Sequence, residues 1–277
     1  MFIAQRKEDG ILVGIDEAIA DKKTDYVCPI CGEDVIIKNG SVMVSHFAHK
    51  SVANCDTFTA DMSEWHKWWQ DGFPKRNQEH VETLEISVEN YRAAAMDNHF
   101  YRDSVKKLVE EREDDDMLIL KHRADVRACG YVVEFQNSPI SCEEFNERNW
   151  FYNAIGCKVV WVFNFIDAYS NERMECYCDT SGGGKYKWTH HSQTFIDFLP
   201  QEHKKRKEDG EFVDSDILLF FQITEAKGRG WKEDGYIEQV VWCPEDDWGS
   251  PLFNRFCTSY KITTFEELYK AIIQRKL

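Results

Sequence analysis

No run among the 277 residues approaches the roughly 18 apolar positions that a membrane-crossing helix needs, so neither a spanning segment nor a membrane partner is expected. A secretory leader is missing as well. The opening MFIAQRKEDG turns charged at Arg6 and Lys7, before the apolar stretch of a signal peptide can form, and a cytoplasmic location is expected. Positive charge is short: 34 Lys and Arg stand against 49 Asp and Glu, a formal net charge of −15 that excludes attraction of the whole surface to a polyanion. Contact with nucleic acid would therefore rest on local clusters. Lys67, Lys75 and Arg76 form one, Lys121 to Arg123 a second, and Lys204 to Lys207 a third that Glu208 and Asp209 adjoin.

Cysteine is not scarce. Ten are present, and without a secretion signal they read as metal ligands or buried thiols rather than as disulfides. Cys129, Cys142, Cys157 and Cys257 stand alone, like small core residues. Residues 1 to 20 suggest a short strand pair leading to a turn, and after them Cys28 and Cys31 open a C-x2-C knuckle. Val35 to Lys38, an Asn39-Gly40 pair suited to a type I′ turn, and Val42 to Ser45 then form a hairpin that returns the chain to His46, His49 and Cys55. Knuckle, hairpin and second ligand pair are the layout of a zinc ribbon, whose tetrahedral ion takes four N or S donors. Cys28, Cys31, His49 and Cys55 are the expected ligands of a structural Zn²⁺, with His46, on the strand itself, as the substitute.

The centre of the chain holds His122 to Gln136, HRADVRACGYVVEFQ. Ala124, Val126 and Ala128 alternate with polar residues, and Tyr131 to Phe135 is rich in β-formers, so two strands are expected around a turn at Cys129-Gly130. That turn would place Asp125 opposite Glu134. Facing acids repel unless a positive group sits between them, and a hard divalent cation would serve. Gln136, two residues beyond Glu134, projects from the same side of the strand. Acid, then acid-x-polar on adjacent strands, resembles the core of PD-(D/E)XK nucleases, with glutamine where lysine is usual. A hairpin that carries an Asp and a Glu to solvent satisfies the same short spacing.

Upstream, Ala60 to Asp71, ADMSEWHKWWQD, reads as a helix with Trp65, Trp68 and Trp69 as its buried stripe, ended by Gly72 and Pro74. Glu64 and His66 flank the first tryptophan. In the nuclease fold the first core helix supplies a carboxylate, and Glu64 fits that place; a surface Glu favoured by the helix dipole fits it too.

Taken in order, CPICG, a hairpin, HFAH, a following Cys, SEWH, and later RADV, VEFQNSPIS, ER and Y resemble the competence protein CoiA family, over about Met1 to Asn164. The resemblance implies a zinc-ribbon-like N-terminal region joined to a PD-(D/E)XK nuclease-like domain that processes DNA during transformation or recombination. Carried over by position, the catalytic acids are Glu64, Asp125 and Glu134, holding Mg²⁺ or Mn²⁺, with Gln136 in the lysine slot. Arg148 and Tyr152, one helical turn apart after a Ser141 cap, match an Arg and a Tyr of that family and are expected to contact phosphate and buttress the acids, with His66 beside them. Arg148 also stands one turn after Glu144, with which it can pair.

The expected fold class is α/β (α+β), with a restriction-endonuclease-like PD-(D/E)XK core whose mixed sheet is flanked by helices. The domains are 1–58, a zinc-binding β module; 59–166, the core; and 167–277, a β-rich C-terminal extension ending in a helix that opens at a Thr264-Phe-Glu-Glu267 capping box. In the core, His80 to Val88, Met117 to Val126, Tyr131 to Gln136 and Lys158 to Phe163 read as strands, and Tyr101 to Glu113 and Cys142 to Ile155 as helices. Beyond it, strands are expected at Met174 to Cys178, Tyr186 to His190, Ile217 to Ile223 and Tyr236 to Cys243, with a Gly182 to Gly184 turn; Cys176, Cys178, His190 and His191 read as core thiols and surface histidines. Three functions follow: a metal-dependent deoxyribonuclease, a DNA-binding recombination mediator without turnover, and a zinc-ribbon adaptor for partner proteins. Recombination proteins are natural partners for all three.

Overall fold

The structure is a computed structural model that describes residues 1–21, 24–40, 44–50, 55, 63–164, 166, 175–179, 185–190, 193–198, 217–222, 236–240 and 260–276. The expected helix start at 60–62, the Gly182 to Gly184 turn, His191, the basic run Lys204 to Lys207 and Cys257 lie outside the described residues, as do the side chains of Cys142, Cys176, Cys178 and His190. Contacts gather the chain into two units, Met1–Leu84 with Ile119–Arg127, and Glu85–Leu118 with Ala128–Leu277.

In the first unit β1 (Ile3–Arg6), β2 (Leu12–Gly14), β3 (Tyr26–Val27), β4 (Asp34–Lys38) and β5 (His46–His49) form an antiparallel sheet in the order β2-β1-β3-β4-β5. Ala4, Val13, Tyr26, Val35 and Phe47 point to one side, where Phe2, Ile15 and Cys28 complete the core. Where a turn was expected after β2, Ile15–Ala20 forms a short helix, α1, because Ile15 and Ala18, three apart, reach the same core. Among the described residues the return strand of the hairpin starts at His46, with Val44 and Ser45 outside it; the expected start at Val42 lies outside the described residues. Helix α2 (Glu64–Asp71) starts at Ser63, whose Oγ accepts from His66 N at 3.1 Å. A 3-10 turn, Lys75–Asn77, leads into β6 (Gln78–Ser87), which lies beside β7 (Met117–Ala128).

In the second unit α4 (Asp103–Glu110) falls within the expected helix Tyr101 to Glu113, and an unexpected helix, α3 (Val88–Asp97), precedes it, the two separated by Asn98 to Arg102 with a left-handed His99. β8 (Tyr131–Gln136), α5 (Cys142–Ala154) and β9 (Lys158–Asn164) make a parallel crossover, Val133 registering on Val160 and Gln136 on Phe163. Both strands are buried almost throughout; the unbroken apolar run of β9 requires this, whereas β8 carries Glu134 and Gln136 into the interior. An antiparallel three-stranded sheet follows: β10 (Glu175–Asp179), β11 (Lys185–His190) and the unexpected β12 (Gln193–Phe198). The chain then returns to the sheet of β8 and β9. β13 (Ile217–Gln222) pairs parallel to β9, Leu219 on Trp161, and β14 (Tyr236–Val240) and the unexpected β15 (Tyr260–Thr264) extend it antiparallel. The late strands therefore extend the sheet of β8 and β9 instead of standing apart as an appendage. Helix α6 (Phe265–Ile273) follows, burying Phe265, Leu268 and Ile272. No helix among the described residues is long and apolar enough to cross a membrane.

Candidate metal centre and active site

Cys28 and Cys31 face inward because the knuckle closes on itself: Gly32 N donates to Cys28 O at 2.9 Å, Ile30 N reaches Cys28 Sγ at 3.4 Å, and Gly32 takes a left-handed φ of 75°. β4 and β5 carry the hairpin, with Val35 opposite His49 and Lys38 opposite His46. The two histidines are three positions apart, so they leave the strand on opposite faces. Only His49 reaches the knuckle. His46 instead places Nδ1 2.8 Å from Val44 O, which removes the substitute ligand from the group. One donor atom from each of Cys28, Cys31, His49 and Cys55 lies within 4.8 Å of the others, with Cys28 Sγ 3.4 Å from Cys55 Sγ and Cys31 Sγ 3.3 Å from His49 Nε2. A tetrahedral zinc ion with Zn–S near 2.3 Å needs donors about 3.7 Å apart. These residues fit such an ion, which would close the module and leave no open position for chemistry. The hydrogen bond from Cys55, outweighing burial, pulls the Cys28 thiol down to about 4, so a thiolate forms there readily.

In the first unit α2 presents His66, Trp69 and Gln70 to the interior, all about 1 % exposed. His66 Nε2 donates to Asp125 Oδ1 at 2.9 Å, while Gln70 Nε2 donates to the same oxygen at 3.3 Å and to the Asp125 carbonyl at 3.4 Å. The expected tryptophan stripe is thus displaced: Trp65 and Trp68 are half-buried and meet Trp69 edge-on, and the sealed face is largely polar. Glu64 is exposed in the first turn, about 200° around the helix from His66. What α2 brings to Asp125 is an imidazole and an amide, not the expected carboxylate. Sequence reasoning missed Gln70, although its spacing of four from His66 puts both on one face.

It also missed Glu79. This acid is 5 % exposed, sits at a left-handed φ of 46° within β6, and accepts the backbone N–H groups of Phe2 and Ile3, the latter at 3.0 Å. Arg123 Nε, on the Asp125 side of β7, stands 3.8 Å away. The Phe2 ring meets His66 edge-on at 6.3 Å, so β1, β6 and α2 converge behind Asp125.

In the second unit Glu134 is 1 % exposed and its Oε2 receives Arg148 Nη1 at 2.7 Å; Arg148 Nη2 donates to Glu144 Oε1 at 2.6 Å. The expected i,i+4 pair forms, and the same guanidinium also holds the strand acid. Arg148 lies 5.8 Å from the Trp161 ring centroid, and Trp161 Nε1 donates to Asn149 Oδ1 at 2.8 Å, which locks the inner face of α5. Burial disfavours the Arg148 cation, but Glu134 and Glu144 outweigh it and raise its pKa. Tyr152 is fully buried one turn along α5. Gln136 donates its amide to Ser138 O at 2.6 Å. Glu147, facing the other way, accepts from Tyr91 Oη at 2.8 Å and pairs with Arg102, fastening α3 and α4 to α5.

Both strand acids therefore already have a partner, Asp125 in His66 and Gln70 and Glu134 in Arg148. A cation is not needed to relieve them, contrary to the charge argument drawn from their spacing. The turn behaves as expected: Cys129 and Gly130 adopt φ of 52° and 90°, the two left-handed centres of a type I′ connection from Ala128 to Tyr131.

Two family models match the chain. The competence protein CoiA N-terminal domain covers residues 15–58, which include all four candidate zinc ligands, and the CoiA nuclease-like domain covers residues 117–204, which include Asp125, Glu134, Gln136, Arg148 and Tyr152. His66, Gln70 and Glu79 fall between the two. No curated protein and no solved structure matches.

Proposed function

These two matches assign the chain to the competence protein CoiA family, and from that premise we propose that it is a metal-dependent nuclease that hydrolyses DNA phosphodiester bonds during transformation or recombination. The observation that carries the proposal is the nuclease-like match across the segment holding Asp125 and the Glu134-x-Gln136 triplet. Asp125 and Glu134 would hold Mg²⁺ or Mn²⁺ through carboxylate oxygens, the donors such hard cations take. When bound, the ion lowers the pKa of a water and offsets the charge that develops on the phosphate. His66 and Gln70 fix the Asp125 carboxylate, and Arg148 fixes that of Glu134. Gln136 can orient a water by hydrogen bonds but supplies no charge. Glu64, on the exposed face of α2, would join only through solvent.

A second function, DNA binding without turnover, is favoured by one observation: the Gln136 amide is engaged by Ser138 and the Glu134 carboxylate by Arg148. Incubation of labelled single- and double-stranded DNA with wild type, Asp125→Asn and Glu134→Gln, with Mg²⁺ and with Mn²⁺, separates them. Metal-dependent cleavage lost in both variants supports the nuclease. Binding without cleavage in either metal overturns it in favour of the second function.

A further inference from the structure

The first unit contains a cleft of about 440 Å³ walled by β1, β2, the start of α1, α2, the 3-10 turn and β6. Its size lies in the range of small-ligand sites, about 300–1,000 Å³. Its apolar side is made by Phe2, Leu12, Ile15 and Pro29, and Leu12 is left 60 % exposed at the mouth. Its charged side holds Lys67, Lys75 and Arg76, one of the few basic clusters in a strongly acidic chain.

The charges there are not equivalent. Each acid of the wall has a partner: Asp16 and Asp71 share Lys67, at 3.2 and 2.8 Å; Glu17 lies 3.8 Å from Arg6; Glu79 accepts two backbone N–H groups beside Arg123. Lys75 and Arg76 are exposed on the 3-10 turn and make no ion pair or side-chain hydrogen bond with a described residue. Lys75 Nζ lies over the bare backbone of Gly14, where a Cβ would come within 3.5 Å of it. The cleft thus has on one wall two cations with no acidic partner among the described residues, and an apolar floor on the other. The floor is also the outer side of the Phe2 ring that meets His66, the partner of Asp125.

We propose that this cleft binds single-stranded DNA, with successive phosphates at Lys75 and Arg76 and a base or sugar against Phe2, Leu12 and Ile15. A stacked duplex offers the cations its phosphates but withholds its bases from the floor, whereas an unstacked strand offers both. The choice of DNA rests on the nuclease proposal above; the cleft and its charge do not.

Fluorescence anisotropy of a labelled oligothymidylate with the full, zinc-loaded chain, in the absence of added Mg²⁺ and Mn²⁺, tests this. Lys75→Ala/Arg76→Ala is expected to weaken binding at low salt by about tenfold or more and to reduce the salt slope by about 1.4, two phosphates at about 0.7 each. Leu12→Asp, at an exposed position, is expected to weaken it by about fivefold or more. Lys106→Ala/Lys107→Ala on α4 removes the same charge elsewhere and should leave affinity unchanged. Circular dichroism checks that each variant is folded. Affinity within about twofold of wild type in Lys75→Ala/Arg76→Ala, an equal loss in the α4 variant, or a blunt duplex that competes as well as the single strand would overturn the proposal. Cleavage without this binding ends the cleft and leaves the nuclease standing, and binding without cleavage does the reverse.

Discussion

Replacing Arg148 with Met tests how the site in the second unit is held. The guanidinium is 5 % exposed and makes two charge-assisted hydrogen bonds, 2.7 Å to Glu134 and 2.6 Å to Glu144. Glu144, 14 % exposed, can turn toward water, but Glu134, at 1 %, cannot. Breaking a buried pair while its other member stays behind costs about 3–5 kcal/mol, a large share of the roughly 5–15 kcal/mol that stabilises a typical domain. Removing the guanidinium also favours the protonated form of the stranded carboxyl. The loss should then be smaller in mild acid and grow as pH rises, because the folded variant binds a proton that the unfolded chain has released. Arg148→Met/Glu134→Gln should recover most of the loss, since neither charge is then buried alone. Urea unfolding followed by circular dichroism, for the single and double variants at acidic and neutral pH, measures all three effects. A single variant within about 1 kcal/mol of wild type, or a double variant no better than the single, would refute the idea that Arg148 neutralises Glu134.

Two further outcomes follow from local geometry. Metal analysis of the purified chain should find about one zinc per molecule, and Cys31→Ser or His49→Ala should lose it together with the near-ultraviolet signal of Tyr26 and Phe47, whose core includes Cys28 and Cys55; retention of the ion in both variants would exclude this ligand set. Cys129→Asn should raise stability by about 0.5–1 kcal/mol, because Cys129 holds a left-handed φ of 52° that asparagine adopts more readily, and a thermal melt unchanged or lowered would contradict the turn assignment.

What could be seen in advance was what short spacings encode. Lys158 to Phe163 reads as a buried strand because five consecutive apolar residues suit a sheet covered on both faces, and Ser141 announces α5 because its hydroxyl caps the Glu144 N–H at 3.1 Å. The four-residue metal group was legible for the same reason, since knuckle and hairpin lie close in sequence. Choosing between His46 and His49 needed only the knowledge that both lie on one strand. What stayed hidden depends on partners far along the chain. Nothing near Ile217 reveals that it lies beside Val159, and nothing near His66 or Gln70 reveals that their face meets Asp125 rather than solvent. Tryptophans dominate the apolar signal of α2, so Gln70, which shares its buried face with the expected His66, went unread. Glu79 gave no sign at all, because its partners are backbone groups of Phe2 and Ile3 at the opposite end of the first unit.

The parallel seam between β9 and β13 has a consequence for how the protein is made and cut. The chain leaves β9 at Asn164 and returns only at Ile217, so a nascent or truncated product ending between them carries Val159 to Phe163 with one ladder of N–H and C=O groups open. Such an unguarded, uncharged rim is a template on which other copies can assemble. The last third of the chain is thus a zip fastener for the middle third, and a fragment trimmed to the matched residues 117–204 should clump more than the whole chain.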